Sequence, residues 1–242
     1  MRPIYVSLVA VLVTAGARTA AGQTIPPDAH AGVAFKVGTL GAGLDVAFPI
    51  HPRLNVRAGF TNFGLTHDFN DEDMKVAAQF RLQSVTAGLD WFPFGGGFHV
   101  SPGLMLYNGT SVIARMSVPA GRNFSLGNDD MVSSAANPIG GTMKVEFART
   151  TPMLTLGWGN LLPRSKRHWS VPFELGVVRS GSPKASLNYQ GTACNPRGTV
   201  CRDVASDPRL QRDLAAEQAH LNRDLAGLKI IPVISLGFSY RF

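Results

Sequence analysis

Beyond residue 22 no apolar run comes near the roughly 20 residues that a membrane-spanning helix requires. If this chain meets a membrane, it must cross with strands. Charge is sparse as well. Only 16% of the residues are Asp, Glu, Lys or Arg, and the basic ones are dispersed along the chain, which argues against a nucleic-acid interface. Cysteine is nearly absent: Cys194 and Cys201 are the only two, separated by six residues. Too few further ligands lie near them for a metal site, and no motif implies a cofactor. What the sequence has in abundance is glycine, 26 of 242 residues, which suits strands and turns better than helices.

Met1 and Arg2, the apolar run 4–13 and the small residues Ala20, Ala21 and Gly22 predict a cleaved secretory signal over 1–22. A buried N-terminal strand is the alternative. Residues 1–22 hold two of the 23 basic residues and none of the 16 acidic ones, so residues 23–242 carry a net charge of +5. That length fits one domain. In an exported chain, a close cysteine pair predicts a disulfide between Cys194 and Cys201.

The clearest pattern is the last one. Ile234, Leu236, Phe238, Tyr240 and Phe242 alternate with Ser235, Gly237, Ser239 and Arg241, the period of two that gives a strand one apolar and one polar face. The same period runs through Val33, Phe35 and Val37. It flips parity at Gly38 to Leu40, which requires a bulge or a reversal, and then continues through Leu44, Val46 and Phe48. It returns in Val56, Ala58 and Phe60, in Val85, Ala87, Leu89 and Trp91, from Phe98 to Tyr107, and in Trp169, Val171, Phe173, Leu175 and Val177. Val145 and Phe147 with Leu154, Leu156 and Trp158 read as one long strand interrupted near Pro152. Residues 108–141 read as irregular.

Short connections at 49–53, 93–97 and 160–168 alternate with long ones at 66–75, 108–141 and 180–229. Within the last of these, Asp207-Pro208 is a helix start and Gly227 a stop, with Leu210, Leu214, Leu221 and Leu225 at helical spacing. This helix, over about 207–227, could cap a barrel mouth, lie on a membrane surface, bind a partner, or simply pack on neighbouring loops.

Taken together, the signal segment, the alternating strands, the aromatic positions Trp91, Phe92, Phe94, Phe98, Trp158 and Trp169, and the ending Tyr240-Arg241-Phe242 resemble a bacterial outer-membrane β-barrel of small OmpA/OmpX type. The resemblance implies an all-β fold, a closed antiparallel up-and-down transmembrane barrel. Eight strands satisfy the even-number rule, with either 30–38 or 184–189 completing the set. It implies a place in the outer membrane against lipid and lipopolysaccharide. It also implies that Phe238, Tyr240 and Phe242 form a signal for the barrel-assembly machinery.

Five charged residues fall on the polar parity near short turns or the C-terminus: Asp45, Arg57, Asp90, Glu174 and Arg241. A charge facing lipid at depth costs about 2–4 kcal/mol for a base, so these are expected inside the barrel, at one level, as a network that blocks a wide pore. Asp45 and Arg57 lie almost symmetrically about His51 and are expected opposite one another. Lys36 also points inward by parity. The expected role is structural, surface-interacting or narrowly conducting. A first alternative is a lipid-acting enzyme, because His99 and Ser101 look like the catalytic pair of lipid A deacylase barrels, here at the short-turn rim. A second is a secreted soluble β-protein. Asp68, Asp71, Glu72 and Asp73 crowd one loop without the spacing of an EF-hand calcium site.

Overall fold

The computed structural model describes residues 30–71, 74–126, 129–163 and 167–242. The signal segment expected over 1–22 lies outside them, as do Glu72 and Asp73 of the acidic cluster. In chain order the elements are β1 (Gly32–Gly38), β2 (Gly41–His51), β3 (Leu54–Asp71), β4 (Met74–Trp91), β5 (His99–Asn108), β6 (Ser111–Val118), β7 (Asn123–Leu126), β8 (Asp129–Ser133) and β9 (Ile139–Glu146). They continue as β10 (Thr151–Trp158), β11 (Trp169–Ser170), β12 (Phe173–Val178), β13 (Lys184–Gln190), β14 (Thr192–Cys194), β15 (Cys201–Asp203), α1 (Pro208–Leu225) and β16 (Ile231–Arg241).

Antiparallel pairing runs β1–β2–β3–β4–β5–β10–β12–β16 and returns to β1, with β11 extending β12 along β16 beyond Pro172. This is a closed barrel of eight strands. The parity flip at Gly38 is a reversal: β1 and β2 are joined by a tight turn at Thr39-Leu40. Strand β1 therefore completes the barrel, and Lys184–Gln190 does not. Around the barrel one parity is exposed and apolar, as in Phe35, Leu44, Phe60, Leu89, Leu156, Leu175 and Phe238, while the other is buried and polar. That inversion of a soluble protein's pattern marks a lipid-facing surface, and an apolar belt of this extent is incompatible with a soluble β-protein.

Above the lipid-facing band on one side, the wall continues as a second tier. Within the polar stretch 66–75, residues 66–71 and 74–75 are strand and not loop. β3 and β4 pair without interruption from Leu54 opposite Trp91 to Asp71 opposite Met74. The upper half of β4 exchanges β5 for β6, which pairs with β9, which pairs with β13. The described residues of 108–141 are thus largely strand, and the long strand read over 145–158 is two. β9 belongs to the upper tier, and β10 begins the barrel only at Thr151. In this tier the chemistry of the two faces is exchanged. Arg81, Arg115 and Lys144 point outward, while Ala114, Val118 and Ile139 face the barrel axis and are buried.

Helix α1 covers part of that inner face. The Asp207 side chain caps it by accepting from the N–H groups of Arg209 (2.9 Å) and Leu210 (3.2 Å), and the neighbouring Arg202 holds its carboxyl below the usual range. The helix ends at Ala226, one residue before the glycine that reads as its stop. Leu210 and Leu214 pack with Val118, Ile139, Ala193 and Val204, so the leucine stripe is used in packing. Asn222 and Gln218 satisfy the free edge of β13: Ala185 N–H donates to Asn222 Oδ1 (2.8 Å) and Leu187 N–H to Gln218 Oε1 (3.0 Å). Covering an edge in this way prevents it from recruiting another strand.

Candidate functional site

The inward parity brings most of the sequence-identified charges together. Arg57, buried in the lumen, is the hub. Its guanidinium pairs with Glu174, lies 3.3 Å from Asp90 and 3.8 Å from Asp45. Lys36 reaches Asp45 at 2.7 Å from the neighbouring strand. Asp45 and Arg57 are diagonal, not opposite. Asp45 pairs with Gly59 and Arg57 with Ala47, because the hairpin turns at Pro52-Arg53, with His51 opposite Leu54, and not at His51 itself. Gly59 is what lets the carboxylate lie there: a Cβ at that position would collide with Asp45 Oδ1.

His99 and Ser101 belong to this network too, at the short-turn end of β5 but enclosed and not open at a rim. Both face inward and are buried. Ser101 Oγ donates to Asp90 Oδ1 at 2.7 Å, and His99 Nε2 lies 3.4 Å from Glu174 Oε1. Gly157 opposite His99 leaves room for its ring, which a Cβ would meet. The serine hydroxyl is thus committed to one carboxylate and the imidazole to another. Nucleophilic catalysis needs the base within reach of the hydroxyl, and here each is held by a different partner in a closed interior.

Arg241 sits apart from the network. It donates from Nη1 to the carbonyl of Pro163 at 2.8 Å, in the connection between β10 and β11. That connection was unremarkable in the sequence, yet its first residues enter the barrel. Leu161 and Leu162 are buried against Ala34 and Ala47. Asn160 accepts from Asn55 Nδ2 (3.3 Å) and from the N–H of Leu162 (2.9 Å), and Ser239 donates to its carbonyl (3.1 Å). A layer of side chains therefore closes the short-turn end below the charges.

Above the charges Thr61 and Ser84 hydrogen bond at 2.7 Å. Over them Met105, Val178 and Val233 pack with Leu40, Met153 and Ile231. Between these layers remains a cavity of about 20 Å³, lined by Arg57, Thr86, Glu174 and Ser235 among others, enough for about one water molecule. The lumen is filled at three levels: an inserted turn, an ion-pair network and an apolar lid. Two bases, Lys36 and Arg57, face three acids there. Each charge gains a partner that offsets part of its desolvation.

The cysteines form the expected disulfide, Cys194–Cys201, joining β14 to β15 in a small sheet with β7 and β8 at the long-loop end. Closing so short a loop contributes at most about 3 kcal/mol, and only to this subdomain. The double variant Cys194→Ser/Cys201→Ser is expected to make residues 180–229 more protease-sensitive while the barrel melts as before. A barrel that fails to fold would contradict this. Phe238, Tyr240 and Phe242 lie on the lipid-facing parity of the closing strand.

No family model matches this chain, and no curated protein sequence does either. Solved structures do. Acinetobacter baumannii CarO superposes with a TM-score of 0.51 at 21% identity, over 87% of this chain and 97% of that one. The structure of CarO2 from the same organism gives 0.52 at 18% identity, over 88% and 98%. At such identities the likeness concerns the fold alone, a closed eight-stranded barrel.

Proposed function

We propose that this protein is an outer-membrane β-barrel of small OmpA/OmpX type whose role is structural and surface-interacting, not conducting. The observation that carries the reading is the filled lumen. Among the described residues an inserted turn, an ion-pair network and an apolar layer occupy the lumen, whereas the long-loop end carries a second sheet tier, a disulfide-bonded subdomain and a helix. Small outer-membrane barrels place short turns in the periplasm and long loops outside. The upper tier would then face the medium, and the termini of the barrel the periplasm. Outer-membrane lipid surrounds the belt, lipopolysaccharide meets the upper tier, and the barrel-assembly machinery receives the closing strand.

The test is electrical. Purified, heat-modifiable barrel reconstituted into planar bilayers is expected to give no stable open-channel current. A steady conductance that disappears when the lumen side chains are enlarged would overturn the reading. Membrane fractionation is expected to place the protein in the outer membrane, and recovery as a soluble periplasmic or secreted protein would refute that placement.

A further inference from the structure

We infer that the outward face where the barrel wall passes into the upper tier is a binding site for the phosphate groups of an outer-leaflet glycolipid. The inference rests on the outer-membrane placement proposed above and adds to it a ligand class and a set of residues. On the outward parity of β4 the lipid-facing run Trp91, Leu89, Ala87 and Val85 is followed by Gln83 and Arg81. Val85 pairs with Tyr107, which is exposed on the same face and ends the apolar run of β5. Arg81 lies four residues beyond Val85, about 13 Å along the strand and on the order of 10 Å above the apolar boundary once strand tilt is included. Headgroup phosphates occupy this interfacial depth, just outside the hydrocarbon core.

The wall is not smooth at that level. β4 leaves β5 for β6, β9 gives way to β10, and the mismatch opens an outward groove of about 260 Å³. Arg81, Lys144 and Arg149 line it, with Tyr107 at its lower edge and Glu146 as its one acid. The register explains the convergence. Arg81, Ser111 and Glu146 form one cross-strand row, and Gln79, Ile113 and Lys144 form the next on the same face. Arg81 is therefore roughly 10 Å from Glu146 across the row and roughly 12 Å from Lys144 on the next.

Glu146 is held by Lys144 at 2.9 Å. Neither Arg81 nor Arg149 pairs with a carboxylate among the described residues. Three bases against one acid leave the groove cationic, and two of the three are guanidinium groups, whose fork geometry binds phosphate oxygens in pairs. A soluble anion would meet the same donors. The position directly over Tyr107 and the lipid belt is what favours an anion carried on a lipid, whose acyl chains would lie along Leu104, Leu106 and Val85. Basic pockets at the membrane surface bind anionic headgroups on this principle.

The experiment uses the purified full-length barrel in mild detergent and measures the rise in its melting temperature on adding bisphosphorylated lipid A. The wild-type protein is expected to be stabilised by this glycolipid and not by its dephosphorylated form. Arg81→Gln/Lys144→Gln/Arg149→Gln is expected to need at least about tenfold more glycolipid for the same shift, since each lost contact is a charge-assisted hydrogen bond. Arg209→Gln/Arg212→Gln/Arg223→Gln removes the same charge from α1 and is expected to behave as wild type. Equal weakening in both triple variants would reduce the effect to net charge and overturn the site. Full competition by millimolar inorganic phosphate would overturn the assignment to a lipid, as would equal stabilisation by the dephosphorylated form. If the groove variant is itself unstable, Arg81→Gln and Arg149→Gln are each measured alone, and no weakening in either refutes the proposal. Binding is read in detergent, so it can fail while fractionation still places the protein in the outer membrane, and the reverse.

Discussion

Replacing Arg57 with alanine is expected to lower barrel stability by about 3–5 kcal/mol, the range for removing one partner of a buried ion pair. Glu174, Asp90 and Asp45 all converge on this guanidinium. Without it, three carboxylates share Lys36, which reaches only Asp45. The measurement is the temperature at which the compact, folded band converts to the unfolded one on a cold gel. Packing and charge can be separated. Arg57→Met keeps most of the volume and is expected to lose nearly as much, because the cost lies in stranded carboxylates more than in a void. Adding Glu174→Gln to Arg57→Ala is expected to restore part of the loss by neutralising the closest acid. Asp45→Asn is expected to restore less, since Asp45 keeps its pair with Lys36. If Arg57→Ala melts like the wild type, the network is not what holds the lumen together.

Much of this interior is legible from alternation. Asp45, Arg57, Asp90 and Glu174 stand on the polar parity of strands whose other parity is apolar, and a charge can face inward in a barrel at far lower cost than it can face lipid. Parity fixes a side, not a height. Arg241 shares the parity and yet lies lower, at Pro163. His99 and Ser101 show the same limit from the other direction: a His-x-Ser pair on one strand face reads alike whether it is a catalytic pair at a rim or part of a buried network. Their depth depends on the turn that carries Leu161 and Leu162 into the mouth, and two leucines in a short connection give no sign that they are inserted.

The upper tier was hidden for a different reason. In the band facing lipid the outward residues are apolar, as in Phe60 and Val85. A few residues higher the outward positions hold Asn62, Gln83 and Arg81, while Phe63 and Leu82 take the inward parity. The strands continue through this exchange, but the pattern changes phase at the membrane surface, and a phase change in a period of two looks like the end of a strand. Hence 66–75 and 108–141 read as loops. The helix was readable because Asp207-Pro208 and the leucine spacing are local signals that need no knowledge of the environment.

The double substitution Phe238→Asp/Tyr240→Asp is expected to leave most of the protein unassembled. β16 closes the barrel: one edge pairs with β1, where Phe238 meets Phe35 and Tyr240 meets Val33, and the other with β11 and β12. Both rings lie outward, with Phe238 stacked on Trp169 and Tyr240 edge-on to Phe242. Losing about 2 kcal/mol of apolar transfer at each site and placing a carboxylate in lipid at both gives a cost on the order of 5 kcal/mol. That is comparable to the stability of many single domains. The readout is the fraction of protein that becomes heat-modifiable and protease-resistant in outer-membrane fractions. A control separates the cost of lipid exposure from recognition of the terminal strand. Val33→Asp/Phe35→Asp places two carboxylates at the same seam and the same depth but leaves the chain's ending intact. If assembly falls equally in both variants, exposure to lipid accounts for the whole effect. If the β16 variant fails while the β1 variant assembles slowly but reaches the membrane, the aromatic ending is also read by the assembly machinery. Deleting Phe242, which removes one lipid-facing ring and adds no charge, is then expected to slow assembly by more than its burial alone explains. Normal assembly of the β16 double variant would mean that neither its lipid-facing aromatics nor its ending is needed to close the barrel.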